Sequence, residues 1–300
     1  MPSSLANESQ RLRFFHVPKA GSSFAEYIWA WSCPLLPREL RTVTLRQDTQ
    51  NTKLQTLRIG RREGKCPRNQ GLIDRAYHHE PLVHDWDVRA AAGLFRAPAA
   101  RIVSAFNYNL HAASMDAGNW SAMKAAVSAS TSRSAQLRSF AAWPGIAHIT
   151  TKMLLGRAPS EMIPSSVLDM EAALDRLHHM AFVGLTECFN ESAVLFARRF
   201  PSELYPRHPP HVRQAKNSTA ASDEKLLCST GFEETPDALI YQAAALRFME
   251  ELRRERVPVT SGECRDLLDA WRPPGSNIPS NEVSACRGTH SHKESGSEIV

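Results

Sequence analysis

Residues 13–24, "RFFHVPKAGSSF", set a lysine, a glycine and two hydroxyls directly behind an apolar run. A strand that stops in a tight turn before a helix aims backbone N–H groups, and the positive end of the helix dipole, at one point. With Lys19, Ser22 and Ser23 in that turn, the stretch reads as a cradle for a phosphate-like anion. The alternative on this stretch alone is a plain strand-to-helix turn, with Lys19 solvated and Ser22 or Ser23 as an N-cap. The nucleotide triphosphatase pattern GxxxxGK[ST] is absent. Here the lysine precedes the glycine and the loop is shorter, which suits a smaller terminal group than a magnesium-bound β/γ-phosphate.

A second cationic point lies in "FRAPAARIVSAFNY", residues 95–108. Arg96 falls at the carboxyl end of a predicted strand, where open α/β sheets bind ligands. Ser104, eight residues on, falls inside the following helix. An arginine fork with a hydroxyl grips a phosphate dianion through charge-assisted hydrogen bonds. Taken alone, Arg96 also reads as a strand-end ion pair and Ser104 as a small packing residue. Arg101 is open between serving the anion and bracing the helix. Two anion sites behind successive core strands suggest a nucleotide with phosphates at both ends.

A base that works near neutrality is supplied by "RAYHHEPLVH", residues 75–84, with His78, His79 and His84. Imidazole titrates in the right range to accept a hydroxyl proton. Glu80 is the fallback base. His16 is expected to shape the cradle, and His178 and His179, on a predicted helix, to be structural. Arg213 is a further candidate contact to a ligand. Trp86 and Trp120 are read either as platforms for a sugar ring or as core.

These side chains need a frame that points them at one place. Short apolar runs alternate with amphipathic stretches from about residue 12 to 256, the pattern of an α/β sheet covered on both faces. Strands are predicted at 12–17, 91–95 and 181–186. Helical stripes follow: Phe24, Tyr27, Ile28 and Trp31; Ile102, Val103, Phe106 and Leu110 behind Pro98; Val167, Met170, Leu174 and Leu177; Phe189, Ala193, Phe196 and Phe200. A last long helix, from near Pro236 to Arg256, presents Ile240, Ala244, Phe248 and Leu252. The expected organisation is a disordered N-terminus over 1–11, one domain over 12–256 with a surface excursion at 201–235, a C-terminal extension over 257–272 and a disordered tail over 273–300.

Composition narrows the class. The chain has 300 residues, 42% hydrophobic and 22% charged, with a net charge of +5. No basic block is long or aromatic-rich enough to read as a nucleic-acid surface. No run reaches the roughly 18 apolar residues of a membrane span, and "MPSSLANESQRLR" has no signal-like apolar core. The six cysteines lack CxxC or Cys/His spacing, so structural zinc is not expected. Cys228, Cys264 and Cys286 lie where a disulfide would fit a loop-rich C-terminal third. Asn-x-Ser/Thr sequons at Asn7, Asn119, Asn190 and Asn217 agree with a secretory compartment.

In this order the segments resemble a known family. "HVPKAGSSF" is similar to the 5′-phosphosulfate loop, usually PKTGGTS, of sulfotransferases that use 3′-phosphoadenosine 5′-phosphosulfate (PAPS). "FRAPAARIVSAFNY" resembles their 3′-phosphate motif, commonly FRDPxxRxxSxY. "FVGLTECFNESAVLF" and "DALIYQAAALRF" resemble downstream segments of the Golgi carbohydrate sulfotransferases, a group that includes heparan sulfate 2-O-sulfotransferase. The resemblance spans about residues 12–256. It implies a P-loop-NTPase-like three-layer fold around a mostly parallel sheet, with PAPS as co-substrate and no metal required. The donor would be held by Lys19, Ala20, Gly21, Ser22, Ser23, Phe24, Arg96 and Ser104. Lys19 would stabilise the leaving group, helped by backbone N–H groups from Gly21 to Ser23. Aligning the family's Gly-His-Val histidine with "YHHEPL" selects His79 as base. Ala20, Ser22 and Ala97 depart from the usual threonine, glycine and aspartate.

The resemblance further implies a glycan hydroxyl as acceptor and a Golgi location through an N-terminal membrane helix. Such a helix would lie outside this sequence, with a cytoplasmic protein as the alternative. Competing readings are a tyrosyl-protein or small-molecule sulfotransferase, a kinase (for which no magnesium ligands are found near either motif), and a catalytically inactive nucleotide- or glycan-binding homologue.

Overall fold

The computed structural model describes residues 12–21, 24, 28, 73–74, 79–111, 117–161, 169–200, 219–232, 235–270 and 286. Its centre is a parallel sheet of four strands: β1 (Leu12–Phe15), β2 (Ile73–Asp74), β3 (Ala91–Phe95) and β4 (Phe182–Leu185), in the order β2-β1-β3-β4. Arg13, Phe14 and Phe15 pair with Ala91, Ala92 and Gly93, and Ala92 to Phe95 pair with Phe182 to Leu185. β3 and β4 are buried at every position, which explains their unbroken apolar sequence. Gly184 is required by closeness: a Cβ there would lie 2.5 Å from the Leu94 side chain and 2.9 Å from Ser192 Oγ.

The helices are α1 (Asp85–Ala90), α2 (Pro98–Asn107), α3 (Ala117–Ser128), α4 (Arg133–Ala141), α5 (Ile149–Leu154), α6 (Met170–His179), α7 (Phe189–Arg199), α8 (Thr219–Ser229), α9 (Thr235–Arg254) and α10 (Gly262–Ala270). Pro98 opens α2, where its missing N–H leaves no bond unmade. The expected stripe of α9 is buried at Ile240, Ala244, Phe248 and Leu252. Phe24 stacks on Phe182 at 5.9 Å and meets Phe189 and Phe196 edge-on, so the turn after β1 is nailed to β4 and α7. A second apolar cluster joins Ile102 and Phe106 of α2 to Phe140 of α4 and Leu227 of α8.

The described residues add detail to three of the expected segments. The excursion at 201–235 contains α8, which docks on α2 by burying Leu227 and the carboxylate Asp223. Asp223 accepts from Arg133 Nη2 at 2.7 Å and from Asn107 Nδ2 at 2.9 Å, so a polar network seats the helix alongside the apolar contact of Leu227. The extension at 257–272 belongs to the main core, with Val257, Leu267 and Leu268 buried there. In the tail at 273–300, Cys286 is tied to Cys228 of α8. The N-terminal residues 1–11 lie outside the described residues, as do Cys33 and Cys66.

Cys188, behind β4, is bonded to Cys264 of α10 across 76 residues of sequence. Closing a loop of that length restricts the unfolded chain. Replacing both cysteines by serine is expected to cost ~2–4 kcal/mol of stability, read as a lower midpoint in urea. An unchanged midpoint would show that α10 needs no tether.

Candidate active site

In the order β2-β1-β3-β4, the chain leaves β1 towards one side of the sheet and leaves β3 towards the other. The carboxyl ends of β1 and β3 therefore form the switch point, the edge at which open α/β sheets have their ligand crevice. Each strand delivers one charged or titratable residue to this edge. Lys19 follows β1, His79 follows β2, Arg96 follows β3 and Glu187 follows β4.

The β1 turn is tight and partly left-handed, with φ of 63° at Lys19 and 84° at Gly21. Gly21 has no substitute here, because a Cβ would also lie 2.7 Å from Leu94. Lysine in this region is strained by roughly 1–2 kcal/mol. Two contacts offset it: Arg96 Nη1 donates to the Lys19 carbonyl at 3.3 Å, and the Lys19 ammonium lies 3.8 Å over the Tyr108 ring. The two segments read from sequence as separate anion sites therefore touch.

The neighbours of Lys19 need separating. Ala20 is buried and its N–H donates to the Val17 carbonyl at 3.1 Å. Phe24 is wholly buried and its N–H donates to the Gly21 carbonyl at 2.9 Å. Both were expected to hold the donor; in the structure they build and anchor the turn, and their N–H groups are engaged within it. Ser22 and Ser23 lie outside the described residues. Ser104 is half-buried on α2, one turn before Tyr108, and so shares the face that reaches Lys19.

Arg96 is not alone at its strand end. Ala97 leaves α2 without a cap of its own, and Glu187 Oε1 accepts the Ala97 N–H at 3.0 Å. The glutamate after β4 thus ties the start of α2 to the end of the neighbouring strand. Burial, with the Glu187 charge beside it, pushes the Tyr241 hydroxyl well above its usual range. Burial pushes up the Glu224 carboxyl; Arg96 opposes this, while Glu187 and Glu263 add to it. Glu224 therefore sheds its charge at a higher pH than an ordinary carboxylate and competes less for Arg96 as pH falls. Glu224→Gln is expected to tighten binding of an organic bisphosphate by roughly 3- to 10-fold near neutrality and to flatten its pH dependence, read by calorimetry. Weaker binding in the variant would contradict that competition.

His79 reaches the same edge. Arg13 of β1 binds Glu80 at 2.9 Å and Asp87 at 2.5 Å, fixing the segment between them against the sheet. This engages Glu80, the fallback base, in an ion pair. His79 Nδ1 lies 2.9 Å from the His16 carbonyl oxygen, with the two rings 4.3 Å apart. His79 Nε2 lies 3.3 Å from His111 Nε2, and His111 packs edge-on to Tyr108 at 5.9 Å. Contacts thus run from Lys19 through Tyr108 and His111 to His79. Burial, then the charges of His79 and Lys19, lower the His111 pKa to about 4. Among the described residues, no set of three histidine, cysteine or acidic side chains is grouped to hold a metal ion.

Sequence reasoning missed Tyr108, His111 and Glu187. Tyr108 closes a motif already singled out, and His111 stands three residues beyond it, so proximity was the only signal. Other candidates fall elsewhere. Arg101 is buried, donates to the Ile146 carbonyl at 2.9 Å and pairs with Asp237, so it braces α2. Trp86 is exposed on α1, which leads into the amino end of β3, the edge opposite the crevice. Trp120 packs on the second apolar cluster. His84 precedes α1, and His178 and His179 end α6. His78 and Arg213 lie outside the described residues.

No family model, curated protein or solved structure matches the chain. Among the described residues, no helix is long and apolar enough to cross a membrane.

Proposed function

We propose that the chain is a sulfotransferase that moves a sulfuryl group from PAPS to a hydroxyl of a glycan, on a P-loop-NTPase-like three-layer fold. One observation carries the reading: the Lys19 turn and Arg96 meet at the sheet's switch point, 3.3 Å apart, with an imidazole pair beside them. The residues fit the donor. Its two anionic ends need two cationic points, which Lys19 and Arg96 supply, and Gly21 lets the turn lie against the sheet below. When bound, PAPS supplies an activated sulfuryl group on a good leaving group. Lys19 would then stabilise charge on the departing oxygen, the role that the resemblance shares with the backbone N–H groups from Gly21 to Ser23. Arg96 and Ser104 hold the 3′-phosphate, and the histidine pair takes the acceptor proton. The site needs no metal ligand. The two disulfides among the described residues suit an oxidising lumen such as the Golgi, where glycans are modified.

A second reading, an inactive nucleotide- or glycan-binding homologue, is favoured by the engaged N–H groups of Ala20 and Phe24 and by the carboxylates around Arg96. Labelled-sulfate transfer to a panel of glycans, with tyrosyl peptides and small phenols as alternatives, separates the two. Sulfated glycan is the expected product. Stabilisation by adenosine 3′,5′-bisphosphate, about 2.7 kcal/mol at 100 times its Kd, without any product would favour the inactive homologue. Stabilisation by ATP with magnesium instead would contradict both.

A further inference from the structure

Donor and acceptor chemistry fixes the direction of a proton path through the histidine pair. A carbonyl oxygen only accepts, so at 2.9 Å from the His16 carbonyl, His79 Nδ1 carries the hydrogen. The lone pair of neutral His79 is then on Nε2, which faces His111 Nε2 at 3.3 Å. Two lone pairs cannot share that contact, so His111 Nε2 carries a hydrogen and donates it. The only ring nitrogen of the neutral pair left with an uncommitted lone pair is His111 Nδ1. We propose that His111 Nδ1, rather than His79 Nε2, takes the proton of the acceptor hydroxyl, and that His79 receives the charge.

This assignment rests on the sulfotransferase reading. As the acceptor oxygen bonds to sulfur, its O–H bond breaks and the proton passes to His111 Nδ1. His111 releases its Nε2 proton to the His79 Nε2 lone pair. The electron pair of the breaking S–O bond leaves on the phosphate oxygen beside Lys19. His79 ends as an imidazolium, its Nδ1–H still donated to the His16 carbonyl, and His111 ends neutral with its tautomer reversed.

The surroundings favour this division. Asn109 and Leu110 are both left-handed, with φ of 55°, a strained pair that turns the chain out of α2. The His111 N–H is then fixed on the Ala105 carbonyl at 2.9 Å. His111 is a poor place for a charge to rest: burial, His79 and Lys19 hold its pKa near 4. His79 has a carbonyl on its far nitrogen to stabilise the cation. Among the described residues, the titratable and charged groups facing the pair include His16, Lys19 and Tyr108, while Glu80 pairs with Arg13.

The first test needs neither nucleotide nor acceptor. Histidine-nitrogen NMR of the wild-type protein at neutral pH should show His79 as the Nδ1–H tautomer and His111 as the Nε2–H tautomer. On acidification the first proton taken up by the pair should appear on His79 while His111 switches to Nδ1–H. A first proton that stays on His111, or an Nε2–H tautomer of His79 at neutral pH, would overturn the proposal. The second test uses sulfate transfer. His111→Ala should lower it by about 100-fold or more, and added imidazole should restore part of it. His111→Gln keeps a donor for His79 but has no basic nitrogen to relay a proton, so it should be as slow as His111→Ala. Near-normal transfer by His111→Gln would overturn the relay and leave the sulfotransferase standing. Sulfation of no acceptor by the wild-type protein would overturn the function, and this role for the pair with it.

Discussion

Lys19→Ala is expected to slow sulfuryl transfer by roughly 100- to 1,000-fold, with the loss in kcat rather than KM. The ammonium is held before substrate arrives, 3.8 Å over the Tyr108 ring, at the edge where Arg96 also ends. Charge on the departing oxygen is small in the bound donor and large in the transition state, so a fixed cation there acts on the barrier. Stability should fall by no more than about 1 kcal/mol, the worth of the lost contact with the Tyr108 ring. Alanine at the same φ of 63° keeps the same backbone strain, and the carbonyl that Arg96 binds is untouched. Steady-state rates beside a thermal melt read both parts. Transfer within about threefold of wild type would remove Lys19 from the chemistry.

Asp237→Ala should have the largest effect on stability. Asp237, in the first turn of α9, is buried and accepts from Thr150 N at 3.1 Å, Thr151 N at 2.9 Å and Thr151 Oγ1 at 2.8 Å. It also lies 3.5 Å from Arg101 Nη2, itself buried. One carboxylate thus caps α5 and neutralises the guanidinium that braces α2, the helix behind Arg96. Removing it leaves a buried cation and uncapped N–H groups, an expected loss of ~3–5 kcal/mol out of the ~5–15 kcal/mol of a typical domain. Asp237→Asn, which keeps the shape and part of the hydrogen bonding, should lose less. A change below about 1 kcal/mol for Asp237→Ala in urea unfolding would mean that water compensates the cation.

What could be read beforehand follows from what the chain writes in apolar spacing. β1, β3, β4 and the stripes of α2, α6, α7 and α9 are carried by hydrophobic runs and were legible. β2 is two residues long and carries too little pattern to find. α5 and α8 are seated by Asp237 and by the Asp223–Arg133–Asn107 network, whose partners are distant in sequence. Lys19 and Arg96 were singled out because each follows a predicted strand, whereas His79 was chosen by the resemblance of "YHHEPL" to the family's Gly-His-Val segment, since β2 before it carries no readable pattern. His111 was not: its place depends on two left-handed residues, Asn109 and Leu110, that no glycine announces. Glu187 was hidden for another reason, since its partner is a backbone N–H, that of Ala97, ninety residues away in sequence.

The central claim is that one nucleotide spans the Lys19 turn and Arg96, and a crystal structure with adenosine 3′,5′-bisphosphate tests it most directly. The 5′-phosphate is predicted on the Lys19 turn and the 3′-phosphate on Arg96 and Ser104. A bisphosphate bound elsewhere, or bound without contact to either Lys19 or Arg96, would contradict the account.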